Sequence, residues 1–193
     1  MSIPAAAAQS SQLHPRIREL IDYLAEHRRR LDEAVASVPP SSRERRPAPD
    51  RWSVAEVVEH LSIVESRVAA LLSRKVTAAR ANGVGPDPDT SSVVSTYVRP
   101  EAVVDRTMRI SAPEPVQPTG RIETNAGTVA LAEAHAAMLA SLRNANGVNL
   151  EGLMATHPAF GPLNMYHWVV SLALHDDRHA AQIREIGQSL AAS

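Results

Sequence analysis

The chain has 193 residues, enough for one domain with a sizeable core and too few for a second full one. Its 20 Lys+Arg against 21 Asp+Glu leave a formal charge of −1, so no global field draws it to nucleic acid or an anionic membrane. It contains no cysteine, which excludes disulfides, thiolate nucleophiles and cysteine-type zinc sites together.

Much of the 44% hydrophobic fraction is alanine, and the aromatic residues are three Tyr, two Trp and one Phe. That composition suits closely packed helices better than a β-sandwich. The segment Met1 to Ala8 lacks the basic flank and apolar stretch of a signal peptide, and no apolar run approaches the roughly 18 residues of a membrane span. A cytoplasmic protein without a membrane segment is expected.

Residues 1–12 are small and polar and are expected to form a flexible N-terminus, with a single domain over 13–190. From Pro15 to Val38, Ile17, Leu20, Ile21, Leu24, Leu31 and Val35 recur at three- and four-residue steps. They predict an amphipathic helix with proline in its first turn and Pro39-Pro40 at its end. His14 and His27 read as surface residues. The arginine-rich connection at 43–51 reads as a solvated loop, with a meeting of its arginines and a carboxylated substrate as the alternative.

Ser53-Val54-Ala55-Glu56 reads as a capping box, in which the serine hydroxyl accepts an amide hydrogen and Glu56 reaches back. The second helix then runs to Ala81, with Val54, Val57, Leu61, Val64, Val68 and Leu71 as its stripe. Trp52 is expected to staple the first turn, and Asn82-Gly83 ends the helix. His60 falls on the inward side, between Val57 and Val64. Residues 83–125 carry repeated Pro and Gly and predict a long irregular crossover, with a short strand or helical turn between Tyr97 and Ile110. Such a crossover either covers one end of a site or passes idly between helices.

The third helix is expected from Asn125 or Thr128 to Arg143, closed by Asn146-Gly147. A loop follows, with His157 in a turn before Pro158. The fourth helix spans Pro162 to Leu190, with Trp168, Leu172, His175, His179, Ile183, Ile186 and Leu190 along one seam. His175 and His179, four apart, lie about 40° apart around the axis. Both point inward, and two buried imidazoles need partners. A shared metal ion would serve, because it takes neutral imidazole nitrogens directly.

The expected fold is all-α, a four-helix bundle with a long irregular crossover between helices 2 and 3. If helices 2 and 4 are neighbours, His60, His175 and His179 converge into a three-imidazole site suited to zinc, nickel or another first-row divalent ion. His167 reads as a packing or surface histidine, with a place flanking the pocket as the alternative, and His135 as an ordinary helix histidine, with an inward place supporting a metal ligand or carrying a proton as the alternative. Asp176 and Asp177 read as a solvent-facing pair with Arg178, or as partners that orient a ligating imidazole. Glu56 is explained by its cap, and Glu59 and Glu65 do not read as ligands. No Gly-rich phosphate loop, serine elbow or HExxH motif is present.

Trp52-Ser53-Val54-Ala55-Glu56-Val57-Val58-Glu59-His60-Leu61 resembles the W-S-x-x-E-x-x-x-H-L element of the DinB-like superfamily. His157-Pro158-Ala159-Phe160-Gly161-Pro162-Leu163, followed by His175, His179, Gln182 and Ile183, resembles its C-terminal signature. The resemblance implies a helical bundle with a metal held by His60, His175 and His179. It also implies zinc or nickel, a homodimer, and for some relatives transferase or isomerase chemistry with a low-molecular-weight thiol such as mycothiol or bacillithiol. Many other relatives are described as metal-dependent hydrolases. A metal-dependent enzyme acting on a small-molecule substrate is therefore the leading expectation. A non-catalytic metal-binding or stress-response interaction module and a plain helical dimer without chemistry are the rivals.

Overall fold

The computed structural model describes residues 12–97, 100–107 and 111–192. The N-terminal stretch expected to be flexible lies, apart from Gln12, outside the described residues. Four long helices carry the architecture: α1 (Pro15–Ala36), α2 (Val54–Ala81), α4 (Thr124–Asn144) and α5 (Met165–Ala191). A five-residue helix α3 (Pro100–Val104) and two 3₁₀ turns (Pro40–Ser42 and Glu114–Val116) sit in the connections. Helix α1 packs on α5 and α2 on α4, α2 also meets α5, and α3 rests on α5. The fold is thus the expected helical bundle.

Local chemistry explains the boundaries. The Ser53 side chain accepts from the Glu56 amide at 3.2 Å while Glu56 Oε2 accepts from the Ser53 amide at 2.8 Å, a complete capping box. His14 caps α1 through its ring, accepting from the Arg16 amide, and Pro15 occupies the first turn. Gly127 brings α4 against α2: a Cβ there would lie 3.2 Å from Val58 Cγ1.

One element departs from expectation. The last helix starts at Met165, not Pro162, because Asn164 takes the cap position and accepts from the His167 amide at 2.8 Å. The residues before it form a hairpin of β1 (Met154–His157) and β2 (Gly161–Asn164), with His157 opposite Gly161. The three-residue loop between them closes on Gly161 at φ +74°, the left-handed position that such loops require.

The core is mainly aliphatic, with Tyr97 and Tyr166 inside it, and it is divided. One cluster includes Leu20, Leu24, Val68, Leu72, Met138, Leu142, Val169 and Val170; the other includes Leu31, Val35, Val57, Leu61, Leu131, Ile183 and Ile186. Each long helix crosses between them at a polar position: Arg28, Glu65, His135 and Asp176. Arg28 Nε donates to Asp176 at 3.0 Å and Arg28 Nη2 donates to Glu65, while His135 Nδ1 lies 2.9 Å from the other Glu65 oxygen. Glu65 is 1% exposed and Asp176 3%, so this layer joins all four helices through buried charge.

This layer corrects two expectations. Asp176 does not face solvent with Arg178, and both are buried. His27 is buried as well, its Nδ1 2.9 Å from Asp177, because α1 packs on α5 along this face. Two carboxylates share the Arg28 guanidinium, and burial, with Glu65 nearby, pushes the Asp176 carboxyl up to about 7. Arg28 is held above its ordinary value despite burial, because Asp176 and Glu65 flank it.

No helix of the described residues is long and apolar enough to cross a membrane.

Candidate metal centre

Beside the polar layer, α2 and α5 bring His60, His175 and His179 together. Nε2 of His175 lies 3.0 Å from Nε2 of His179 and 3.5 Å from Nε2 of His60. One ligating atom from each ring falls within 4.8 Å of the others, which makes these three a group able to hold an ion. His60 and His179 are buried, while His175 keeps an edge open to the adjoining cavity.

Two of the rings are locked from behind. The Nδ1–H of His60 donates to the Val116 carbonyl at 2.6 Å, and that of His179 donates to Gln182 Oε1 at 2.8 Å. Both Nε2 atoms therefore present lone pairs to the shared centre. An Nε2–H on His175 could satisfy one of those lone pairs and not both. Its own Nδ1 is buried with no partner among the described residues. Three converging acceptors with at most one hydrogen among them are unfavourable without a cation.

The spacing fits one. Imidazole nitrogens at about 2.05 Å from a tetrahedral zinc ion sit about 3.3 Å apart, between the 3.5 and 3.0 Å that separate His175 from His60 and His179. Burial pushes the His175 imidazole down to about 3, with His60, His157 and Arg178 adding repulsion. Burial likewise holds His179 far below its ordinary value and lowers His60. All three rings are neutral at pH 7, the form that binds a metal without first losing a proton.

The crossover forms one wall of the site. Glu59 is 1% exposed and accepts from the Thr119 amide at 3.0 Å, the Thr119 hydroxyl at 2.6 Å and the Gly120 amide at 3.1 Å. This latch and the His60–Val116 bond hold residues 113–117 along a cavity of about 830 Å³ with the three histidines on its surface. A larger groove of about 1060 Å³ lies beside the start of α1 and the Ser92–Ser95 turn. No group of ligating side chains occupies it among the described residues, so the histidine cavity is where the chemistry points.

The hairpin supplies a feature that the sequence reading missed. His157 was expected in a turn; it lines the cavity, stacked on Phe160 at 4.7 Å and beside Trp168 at 4.6 Å. Trp168 Nε1 donates to the Ala155 carbonyl at 3.1 Å, which fastens the hairpin to α5. The Ala159 amide donates to His157 Nδ1 at 3.1 Å, so the ring hydrogen sits on Nε2, 3.4 Å from the buried Ser171 hydroxyl. Burial pushes His157 down to about 4 and keeps it neutral. His167 and His135 stand apart from the trio, against Thr96 and Glu65 respectively.

Fold and site together define a helical bundle with an internal three-histidine centre able to hold a metal ion. The chain belongs to the DinB superfamily, whose family model matches residues 23–183. It is also similar to the uncharacterized protein YuaE of Bacillus subtilis (strain 168), at 23% identity over 149 residues, covering 75% of this chain and 83% of that one. No solved structure matches the chain.

Proposed function

We propose that this protein is a metal-dependent enzyme in which His60, His175 and His179 hold one divalent ion, zinc or nickel, beside a cavity that admits a small molecule. The observation that carries this reading is the convergence of three neutral imidazoles, two with their hydrogens turned away by Val116 and Gln182. When bound, such an ion would act as a Lewis acid, or lower the pKa of a water or low-molecular-weight thiol so that it becomes a nucleophile near neutral pH.

The chain's own residues would do the remaining work. The Val116 carbonyl and Gln182 keep two imidazoles in one tautomer and one orientation. The Glu59 latch keeps the Val116 segment in place. His157 offers a fixed Nε2–H donor toward Ser171, one turn before His175 on α5, where it would orient a polar group of the substrate.

The test compares zinc- or nickel-loaded protein with chelated protein. It follows attack of a small thiol on an aryl halide, and of water on an activated ester. Metal-dependent acceleration of either, lost on replacing any of the three histidines by alanine, is expected. Stoichiometric loading that accelerates neither would favour the non-catalytic metal-binding module.

A further inference from the structure

Both tryptophans and the single phenylalanine of the chain line the histidine cavity. Trp52, Phe160 and Trp168 are each half-buried, while the two core clusters they border are mainly aliphatic, with Tyr97 and Tyr166 as their aromatic members. Their rings therefore surround the site more than they fill the interior. Trp52 lies 5.0 Å from His60, centroid to centroid, and Trp168 and Phe160 flank His157. Half-open aromatic faces beside neutral imidazoles favour a flat apolar ligand.

The charge on the same wall gives that ligand a sign. Arg106 is committed to Glu185 through two hydrogen bonds at 2.8 and 2.7 Å, and Arg178 donates to the Val103 and Asp105 carbonyls. Arg51 and Arg67 also line the cavity, and neither side chain makes a hydrogen bond or close ion pair among the described residues, although Arg51 lies near enough to Glu185 to help lower its carboxyl. The guanidinium fork pairs with a planar carboxylate in two parallel bonds.

We propose that the cavity takes a small carboxylic acid with a flat apolar body, the body resting among Trp52, Phe160 and Trp168 and the carboxylate meeting Arg51 at one end of the cavity or Arg67 at the other. This names a substrate class for the metal centre, and it rests on that reading only in sharing its cavity. The acid is held at one arginine, which leaves the centre free to act on another part of the molecule.

Because both tryptophans line the cavity, intrinsic fluorescence reports binding without a label. The probes are 3-phenylpropionate, its neutral amide and propionate, titrated into chelated and zinc-loaded protein. Saturable binding of 3-phenylpropionate is expected in both forms, with the amide and propionate each weaker by about tenfold or more. The Arg51→Ala/Arg67→Ala variant should lose about tenfold for the acid and nothing for the amide. An amide that binds as well as the acid would overturn the proposal, as would an acid affinity unchanged in the double variant. Acid binding that needs zinc and survives the double variant would put the carboxylate on the metal, overturning this proposal while leaving the metal centre intact. Acid binding that persists where zinc fails to bind would remove the metal reading and leave this one standing.

Discussion

Replacing Arg28 with methionine tests the polar layer. The variant keeps most of the side chain's length and apolar stem and removes the one cation shared by Glu65 and Asp176. Both carboxyls are almost fully buried, so Asp176 loses its cation with no water to replace it and Glu65 keeps only His135. Breaking a buried pair in this way costs about 3–5 kcal/mol when the orphaned charge stays ionised. Asp176 has an escape, since its carboxyl already sits near pH 7 and would rise further without Arg28. A folded pKa above the unfolded value of about 3.9 means stability that is complete below that value and is lost as pH rises through the folded one. The penalty of Arg28→Met should therefore be near its full size at pH 8 and smaller by on the order of 1–2 kcal/mol at pH 5. Urea denaturation of both proteins at the two pH values measures it. A loss below about 1 kcal/mol at pH 8, or an equal loss at both, would refute the reasoning.

Two more outcomes follow from the same geometry. Glu59→Gln replaces three charge-assisted bonds with weaker ones and turns an amide donor toward one of the Thr119 and Gly120 amides; a cost of about 1.5–3 kcal/mol is expected. Amide hydrogen exchange at those two residues should speed up accordingly, and unchanged protection would contradict the latch. In chelated protein, His175 and His157 titrate near 3 and 4 instead of 6.5, so the unfolded chain binds more protons across that interval. Their stabilisation is present above pH 6.5 and is lost as pH falls through 4 to 3, and His175→Phe should flatten this acid-limb slope in a pH series of thermal melts.

The trio was legible because its signal is local and periodic. His175 and His179 fall on the apolar seam of one helix and His60 on that of another, and a bundle brings such seams together. The Ser53–Glu56 cap was legible for the same reason, its partners being three residues apart. The polar layer was not. Arg28 and Asp176 are 148 residues apart, and the seam gives no hint that α5 is buried widely enough to enclose positions 176 and 178 as well. His157 was missed because its place depends on the hairpin. The run from Met154 to Asn164 has too little alternation to announce strands, and the clue it did contain was Gly161 at a fixed step beyond a proline. The role of the crossover as a wall was open until Glu59 and Val116 showed where it is fastened.

The central claim is that three histidines from two helices form one metal centre, and the most direct measurement is a calorimetric titration of chelated protein with zinc and with nickel. It should be run on the wild type and on His60→Ala, His175→Ala and His179→Ala. One ion per chain is predicted for the wild type, with loss of tight binding in all three variants. A wild type that takes up neither metal, or a His60→Ala protein that binds as the wild type does, would contradict it.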